Sequence, residues 1–243
     1  MTAANFPTSA IVCYRSANAR SEEVQPWGTA DLSALRTASP WRTFRWRRGQ
    51  KHYSGAFWSA TTRELVIYES RLELARLLFA DFDTSVRHIV AQPFLLRAEV
   101  SGTVRRHIPD YLLFTDNGPL VVDVKPQHRV ERPENAFTFD WTRQVLKSRG
   151  WNYEMWSEPP RDELENVRFL AGYRRDWLFD HELLGQLRSA DLDGATLATA
   201  YQLLPEQPPP LVRAAVLHLL WQQHFTVDLT RPLNSAQVLR RAG

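Results

Sequence analysis

Residues 108–126 constrain this chain more than any other stretch. Two short apolar runs, 111–114 and 120–124, flank Asp116-Asn117-Gly118. Asn117-Gly118 is a strong hairpin signal, because a type I′ turn needs positive φ at both central positions. With those two residues as the loop, Asp116 pairs with Pro119, Leu112 with Asp123, and Asp110 with Lys125. Side chains alternate along a strand, so 110, 112 and 114 share a face with 121, 123 and 125. Asp110, Asp123 and Lys125 then point to one side, at the open end of the hairpin. Diagonal neighbours of this kind hold their Cβ atoms ~6–8 Å apart. Two carboxylate arms close that gap onto one Mg²⁺, whose oxygen ligands sit at about 2.0–2.1 Å.

The other hairpin positions are apolar on both faces: Tyr111, Leu113, Val122 and Val124 on one, Leu112, Phe114 and Val121 on the other. Such a hairpin belongs inside a sheet covered by layers on each side. Two carboxylates and a lysine in that setting are expensive to keep unless they hold a metal ion or do chemistry. The plainer alternative is a pair of strand-end polar residues with Lys125 facing a surface acid.

Length and composition narrow the class. At 243 residues the chain has room for one large domain or two modest ones, and 44% apolar residues supply a core. No run of about 18 apolar residues is present to span a membrane. No secretory signal is visible at the N-terminus, and a single cysteine, Cys13, excludes an intramolecular disulfide framework and a Cys-rich zinc site. These features predict a cytoplasmic protein. The formal charge of +3 and pI of 9.2 permit a polyanionic partner.

Residues 1–40 show no sustained period and read as a weakly ordered arm. Residues 41–51 interleave Arg42, Arg45, Arg47, Arg48 and Lys51 with Trp41, Phe44 and Trp46. That pattern suits phosphate contact with aromatic packing beside it, or equally a solvated basic cover. Residues 64–69 read as a strand and 70–80 as an amphipathic helix with Leu74, Leu77 and Leu78 on one face. Ser70-x-x-Glu73 has the form of a capping box. Glu73 therefore either caps this helix or projects toward the hairpin acids, and Glu69 has the same two readings. Strands are expected within 86–96, broken at Gln92-Pro93, and around a turn at Ser101-Gly102. A helix over 134–149 with Gly150 as C-cap leads to a strand at 151–156. The order of strand, helix, strands, helix, strand predicts a mixed α/β layered domain.

The tail differs. Helices are expected at 167–175, 179–188, 191–204 and 211–224, then a short strand at 225–229 with Asn234 as a further N-cap. Helices closing on a short strand pair suggest a winged-helix-like module.

Pro109-Asp110, twelve residues, then Asp123-Val124-Lys125 is the pattern of the restriction-endonuclease-like, PD-(D/E)XK, nucleases. Together with Tyr68-Glu69-Ser70-Arg71-Leu72-Glu73, Gln92-Pro93 and the 151–158 segment, it resembles the TnsA-like endonuclease subunits of heteromeric transposases. The resemblance covers residues 60–175 and, in architecture, the tail. It implies an α/β fold with a restriction-endonuclease-like mixed sheet flanked by helices, then a small winged-helix-like C-terminal domain. The domains expected are an arm at 1–55, a nuclease at 56–175 and the helical module at 176–243. Glu73, Asp110 and Asp123 match metal-binding and catalytic positions, and Lys125 matches the catalytic lysine. Gln92 matches a site glutamine, and Asp123 stands where some members have Gln. Glu69 and His107 are accessory candidates; His107 and His128 flank the hairpin, where ordinary polar roles compete with metal or base roles. The implied cofactor is Mg²⁺, with Mn²⁺ as a substitute. The implied partners are double-stranded DNA at transposon ends, a DDE transposase subunit, and an AAA+ ATPase regulator bound through the C-terminal domain. The implied reaction is cleavage of the non-transferred strand at the 5′ side of those ends. Two further readings remain: a stand-alone repair or restriction nuclease, and a DNA- or protein-binding scaffold with a dormant nuclease fold.

Overall fold

The computed structural model describes residues 7–16, 22–42 and 53–241, and the chain divides into two compact units. The first comprises 1–80 and 85–158, the second 81–84 and 159–243. In chain order the first contains β1 (Thr8–Ser16), β2 (Glu22–Pro26), α1 (Leu32–Arg36), β3 (Ala38–Ser39), β4 (Gly55–Trp58) and β5 (Leu65–Tyr68). Next come α2 (Arg71–Phe82), β6 (Val86–Ala91), β7 (Leu95–Val100), β8 (Thr103–His107), β9 (Tyr111–Thr115) and β10 (Gly118–Val124). The unit ends with α3 (Gln127–Val130), α4 (Pro133–Lys147) and β11 (Asn152–Trp156). The last two residues of α2 are counted with the second unit.

Three sheets result. One has the order β2-β1-β7-β8, with β3 also on β1; a second has β11-β10-β9-β6; the third is the β4-β5 hairpin. β10 and β11 run parallel, and all other pairs within the second sheet are antiparallel. A parallel pair needs a crossover, which α4 supplies. The class is therefore mixed α/β, as the order of elements predicts.

The alternation along β9 and β10 sends side chains to two covered faces. Leu112 and Val121 join Trp141, Val145 and Leu146 of α4 in the core, with Tyr153 packed against them. On the other face, the Tyr111 hydroxyl donates to the Glu73 carbonyl at 3.5 Å, and Arg76 of α2 meets Glu154 of β11 at 2.7 Å. Helices thus lie over both faces of the hairpin, which explains why it is apolar throughout.

The hairpin register differs from the one expected. Thr115 pairs with Gly118, so the loop is Asp116-Asn117, and the pairing is displaced by two residues. Neither loop residue has positive φ, whereas Gly118 has φ +93°. The positive dihedral sits one residue later than a type I′ turn requires, in the manner of a type I turn closed by a bulge glycine. The Thr115 hydroxyl holds it, donating to the Gly118 carbonyl at 2.7 Å and accepting the Asn117 N–H at 3.2 Å. A displacement of two preserves which side chains share a face. The regular pairing ends at Tyr111 and Val122, and Asp110 lies just outside it, its N–H donating to the Val122 carbonyl at 3.1 Å.

The supposed N-terminal arm is a second correction. β1 pairs with β7, and Val12, Tyr14, Trp27 and Leu35 are buried in the core. The Trp27 indole N–H donates to the Val145 carbonyl at 2.8 Å, and its ring lies edge-on to Trp151 at 4.8 Å. Residues 7–16 and 22–39 are thus part of the first unit; the absence of a long period reflects the change from strand to helix and back within β1, β2, α1 and β3. The boundary between units falls after Glu158, at Pro159-Pro160, instead of after 175.

The second unit contains α5 (Arg161–Leu170), α6 (His181–Ser189), α7 (Leu197–Tyr201), α8 (Pro209–Trp221), β12 (Phe225–Thr226) and β13 (Arg240–Arg241). α8 starts on Pro209, whose missing N–H would be unpaired there in any case, and buries most of its length. β12 and β13 pair antiparallel. The helix expected over 191–204 is confined to α7, because Gly194 turns with φ +82° and Thr196 caps the Thr199 N–H. Asn234 caps no helix; its side chain closes a local turn onto the Ala236 N–H at 2.9 Å. Among the described residues no helix is long and apolar enough to cross a membrane.

Candidate functional site

The open end of the hairpin leads into a cleft of about 520 Å³ lined by Glu69, Glu73, Arg106, His107, Asp110, Asp123 and Lys125, among others. The start of α2, the end of β8, the irregular entry to β9 and the end of β10 supply these polar residues, with Leu95 of β7 and Phe139 of α4 beside them. The structure thus brings together the four residues matched to catalytic positions and two of the accessory candidates.

Asp110 precedes β9, and its backbone is fixed on both sides. Its N–H donates to the Val122 carbonyl at 3.1 Å, and its carbonyl accepts the Gln92 N–H at 2.8 Å. Its Oδ2 accepts the Val124 N–H at 2.7 Å. Burial pushes the Asp110 carboxyl well above the usual carboxylate range, and the charges of Asp123 and Glu73 push it further. The Val124 N–H and the Lys125 ammonium oppose that rise. Asp110 therefore stands in an acidic neighbourhood that favours a cation.

Asp123 is only 2% exposed. His107 Nε2 lies 2.9 Å from Oδ1 and 2.8 Å from Oδ2, and the Tyr153 hydroxyl donates to Oδ2 at 2.5 Å. Burial, then the negative charge of Asp123, raises the Tyr153 phenol far above its ordinary value, so it remains a donor. Lys125 is fixed through its backbone: its N–H donates to the Trp156 carbonyl at 2.9 Å, and its carbonyl accepts the Ser157 hydroxyl at 2.8 Å.

Glu73 combines the two readings of the sequence. Its N–H donates to Ser70 Oγ at 3.1 Å, its Oε1 accepts the Ser70 hydroxyl at 2.9 Å, and its Oε2 accepts the Glu69 N–H at 2.6 Å. The helix cap is real, and it holds the carboxylate at the cleft wall. Burial raises the Glu73 carboxyl; these hydrogen bonds and Lys125 counter the rise.

Gln92 joins the site to the segment entering the basic stretch. Its side chain donates to Glu69 Oε1 at 2.8 Å and accepts the Arg42 N–H at 2.9 Å, while its carbonyl accepts the Trp41 N–H at 3.0 Å. Its φ of +46° is uncommon for a non-glycine residue, so this position is held by its surroundings. The Arg42 guanidinium lies 3.5 Å from Glu69 at the cleft mouth. Arg45, Arg47, Arg48 and Lys51 lie outside the described residues. His128 is exposed on α3 and does not line the cleft.

Tyr153 and Arg106 were not singled out from sequence. The parallel register of β11 places Tyr153 beside Val121, on the acid-bearing face. Its position within 151–158 carried that signal, but only a strand pairing could convert it into a contact.

Among the described residues, no group of three or more His, Cys, Asp or Glu side chains is arranged to hold a metal ion. Asp110 and Asp123 both line the cleft and the charge of Asp123 acts on Asp110, while Glu73 is engaged by its cap. Such a pair suits an ion that retains most of its water, as Mg²⁺ does. The chain matches no protein-family model, and no curated protein shows significant sequence similarity to it.

Proposed function

We propose that this protein is a Mg²⁺-dependent DNA endonuclease, with Mn²⁺ as a substitute. It acts as the subunit of a heteromeric transposase that cuts the non-transferred strand at the 5′ side of transposon ends. The observation that carries the nuclease reading is the convergence of Asp110, Asp123 and Lys125 at the mouth of one hairpin, inside a cleft bounded by Glu73. The β10-α4-β11 crossover next to that hairpin supports a restriction-endonuclease-like sheet. The helices of the second unit, closed by β12 and β13, support a winged-helix-like module. The transposase role rests on the likeness of the motifs to TnsA-like subunits. With it come the DDE transposase and AAA+ ATPase partners, the latter docking on the C-terminal module, and a nucleoid location when active.

The donor set fits a hard divalent cation. Asp110 is destabilised as a charged group by burial and by Asp123, and a cation between them relieves both effects. Asp110 and Asp123 would hold the ion, which would supply charge neutralisation at the phosphate and a more acidic water. The chain's own groups do the rest. Lys125 orients the attacking water and stabilises charge developing on the phosphate oxygens. Glu73, held by Ser70 and the Glu69 N–H, completes the polar wall through water. Arg42 and Arg106 offer phosphate contacts at the rim.

The test is strand-specific cleavage of a transposon-end duplex by the chain assembled with its DDE partner in Mg²⁺. Asp110→Ala and Lys125→Ala should each abolish the 5′ cut and leave the partner's 3′ cut intact. Unchanged 5′ cleavage in both variants would remove the site assignment. Efficient Mg²⁺-dependent cutting by the chain alone would instead favour a stand-alone nuclease.

A further inference from the structure

Two donors meet the buried Asp123 carboxylate, and they are unevenly divided between its oxygens. Oδ2 accepts from Tyr153 and lies 2.8 Å from His107 Nε2; Oδ1 meets His107 alone, at 2.9 Å. A carboxylate oxygen has two lone-pair sites, and the single Nε2–H of His107 is shared between the two oxygens, so Oδ2, which also accepts from Tyr153, is the more fully engaged and Oδ1 keeps capacity open. Asp110 has a matching asymmetry: its Oδ2 is taken by the Val124 N–H.

Both donors to Asp123 are themselves held. His107 ends β8 and lies edge-on to Trp141 of α4, with ring centroids 6.3 Å apart. Tyr153 is packed against the core of the first unit, with the Arg143 guanidinium of α4 over its ring at 5.2 Å. Three elements, β8, α4 and β11, thus converge on one carboxylate of β10. Hydrogen bonds to a ligating carboxylate fix its plane and tune its basicity, and their loss commonly weakens metal affinity or activity about 10–100-fold.

We infer that Tyr153 and His107 are positioning residues: Tyr153 holds Asp123 Oδ2, His107 bridges the two oxygens, and the remaining capacity of Oδ1 is left for a cation in the cleft. This rests on the nuclease reading above and specifies how its second acid is used: through one oxygen, at a fixed angle, set by a tyrosine and a histidine distant in sequence.

The experiment measures Mn²⁺ affinity of the full chain by electron paramagnetic resonance of the free ion, without DNA or partners. Tyr153→Phe removes one hydroxyl and keeps the packed ring. It should weaken Mn²⁺ binding about tenfold. In the assembled complex it should lower kcat at low Mn²⁺ with KM for DNA unchanged, and added Mn²⁺ should restore kcat. Mn²⁺ affinity within twofold of wild type, or tighter, overturns the inference, because a purely structural hydroxyl would change only the melting temperature. If Tyr153→Phe does not fold, His107→Gln in the same binding assay decides by the same criterion. Asp110→Asn combined with Asp123→Asn separates the two levels. Loss of Mn²⁺ binding there, with Tyr153→Phe unaffected, removes the positioning role and leaves the nuclease reading standing. A wild-type chain that binds no Mn²⁺ at millimolar concentration removes both.

Discussion

The backbone N–H of Val124 donates to Asp110 Oδ2 at 2.7 Å, so one strand of the hairpin holds the acid that enters the other. This bond crosses the open end, immediately between Asp123 and Lys125. It binds the candidate acid, the second acid's strand and the lysine into one rigid corner.

That corner stores repulsion that a substitution should release. The Asp110 carboxyl is raised, by burial first and by Asp123 second. A carboxyl raised in the folded state contributes stability below its unfolded value and loses it as pH rises through the folded value. In chelator, Asp110→Asn should therefore melt higher than wild type at neutral pH, by about 2–4 °C for each kcal/mol released. The difference should vanish in acid, below the ordinary carboxylate range. Thermal melts across pH check this; a lower melting temperature for the variant at neutral pH would contradict it.

Ser70 and Glu73 share one cap and should separate on substitution. Ser70→Ala removes two hydrogen bonds of the cap and should cost about 1 kcal/mol of stability. Cleavage by the assembled complex should survive it. Glu73→Ala should lose both stability and cleavage. Urea unfolding and a cleavage assay on the same two proteins distinguish capping from chemistry, and equal activity in both would confine Glu73 to the cap.

Gln92 ties Glu69, Arg42 and the Asp110 backbone together while buried. Gln92→Ala leaves the Arg42 N–H and one Glu69 oxygen without this partner. Destabilisation of about 1–3 kcal/mol is expected from such a loss. A denaturant midpoint indistinguishable from wild type would show that Gln92 does not organise this wall.

Trp27 tests the place of the N-terminal segment. Its ring packs on Phe94 and Trp151, and its N–H reaches Val145. Trp27→Ala should destabilise the chain by about 3–5 kcal/mol, as large buried aromatics do. Deleting residues 1–40 should prevent the first unit from folding, as judged by near-ultraviolet circular dichroism. A deletion product with native-like spectra would restore the picture of a dispensable arm.

Much of this protein is legible locally. The β9–β10 hairpin, the Ser101-Gly102 turn, the α2 cap and the Gly150 stop each follow from a few adjacent residues. The shared face of Leu112 and Val121, and hence of the two acids, follows from the period of two in a strand. That period cannot distinguish registers two residues apart; the turn geometry at Thr115 and Gly118 decides between them. The N-terminal strands were invisible for a related reason. What makes β1 a strand is its pairing with β7, more than eighty residues on.

The sequence by itself determined the chemical groups and their common face, because alternation and capping are properties of neighbouring residues. Tertiary structure alone decided which donors hold Asp123, that Glu73 faces the cleft while capping its helix, and that Trp27 is core. Those contacts join residues far apart in the chain, and only pairing of strands and packing of α4 across them brings such residues within hydrogen-bond reach.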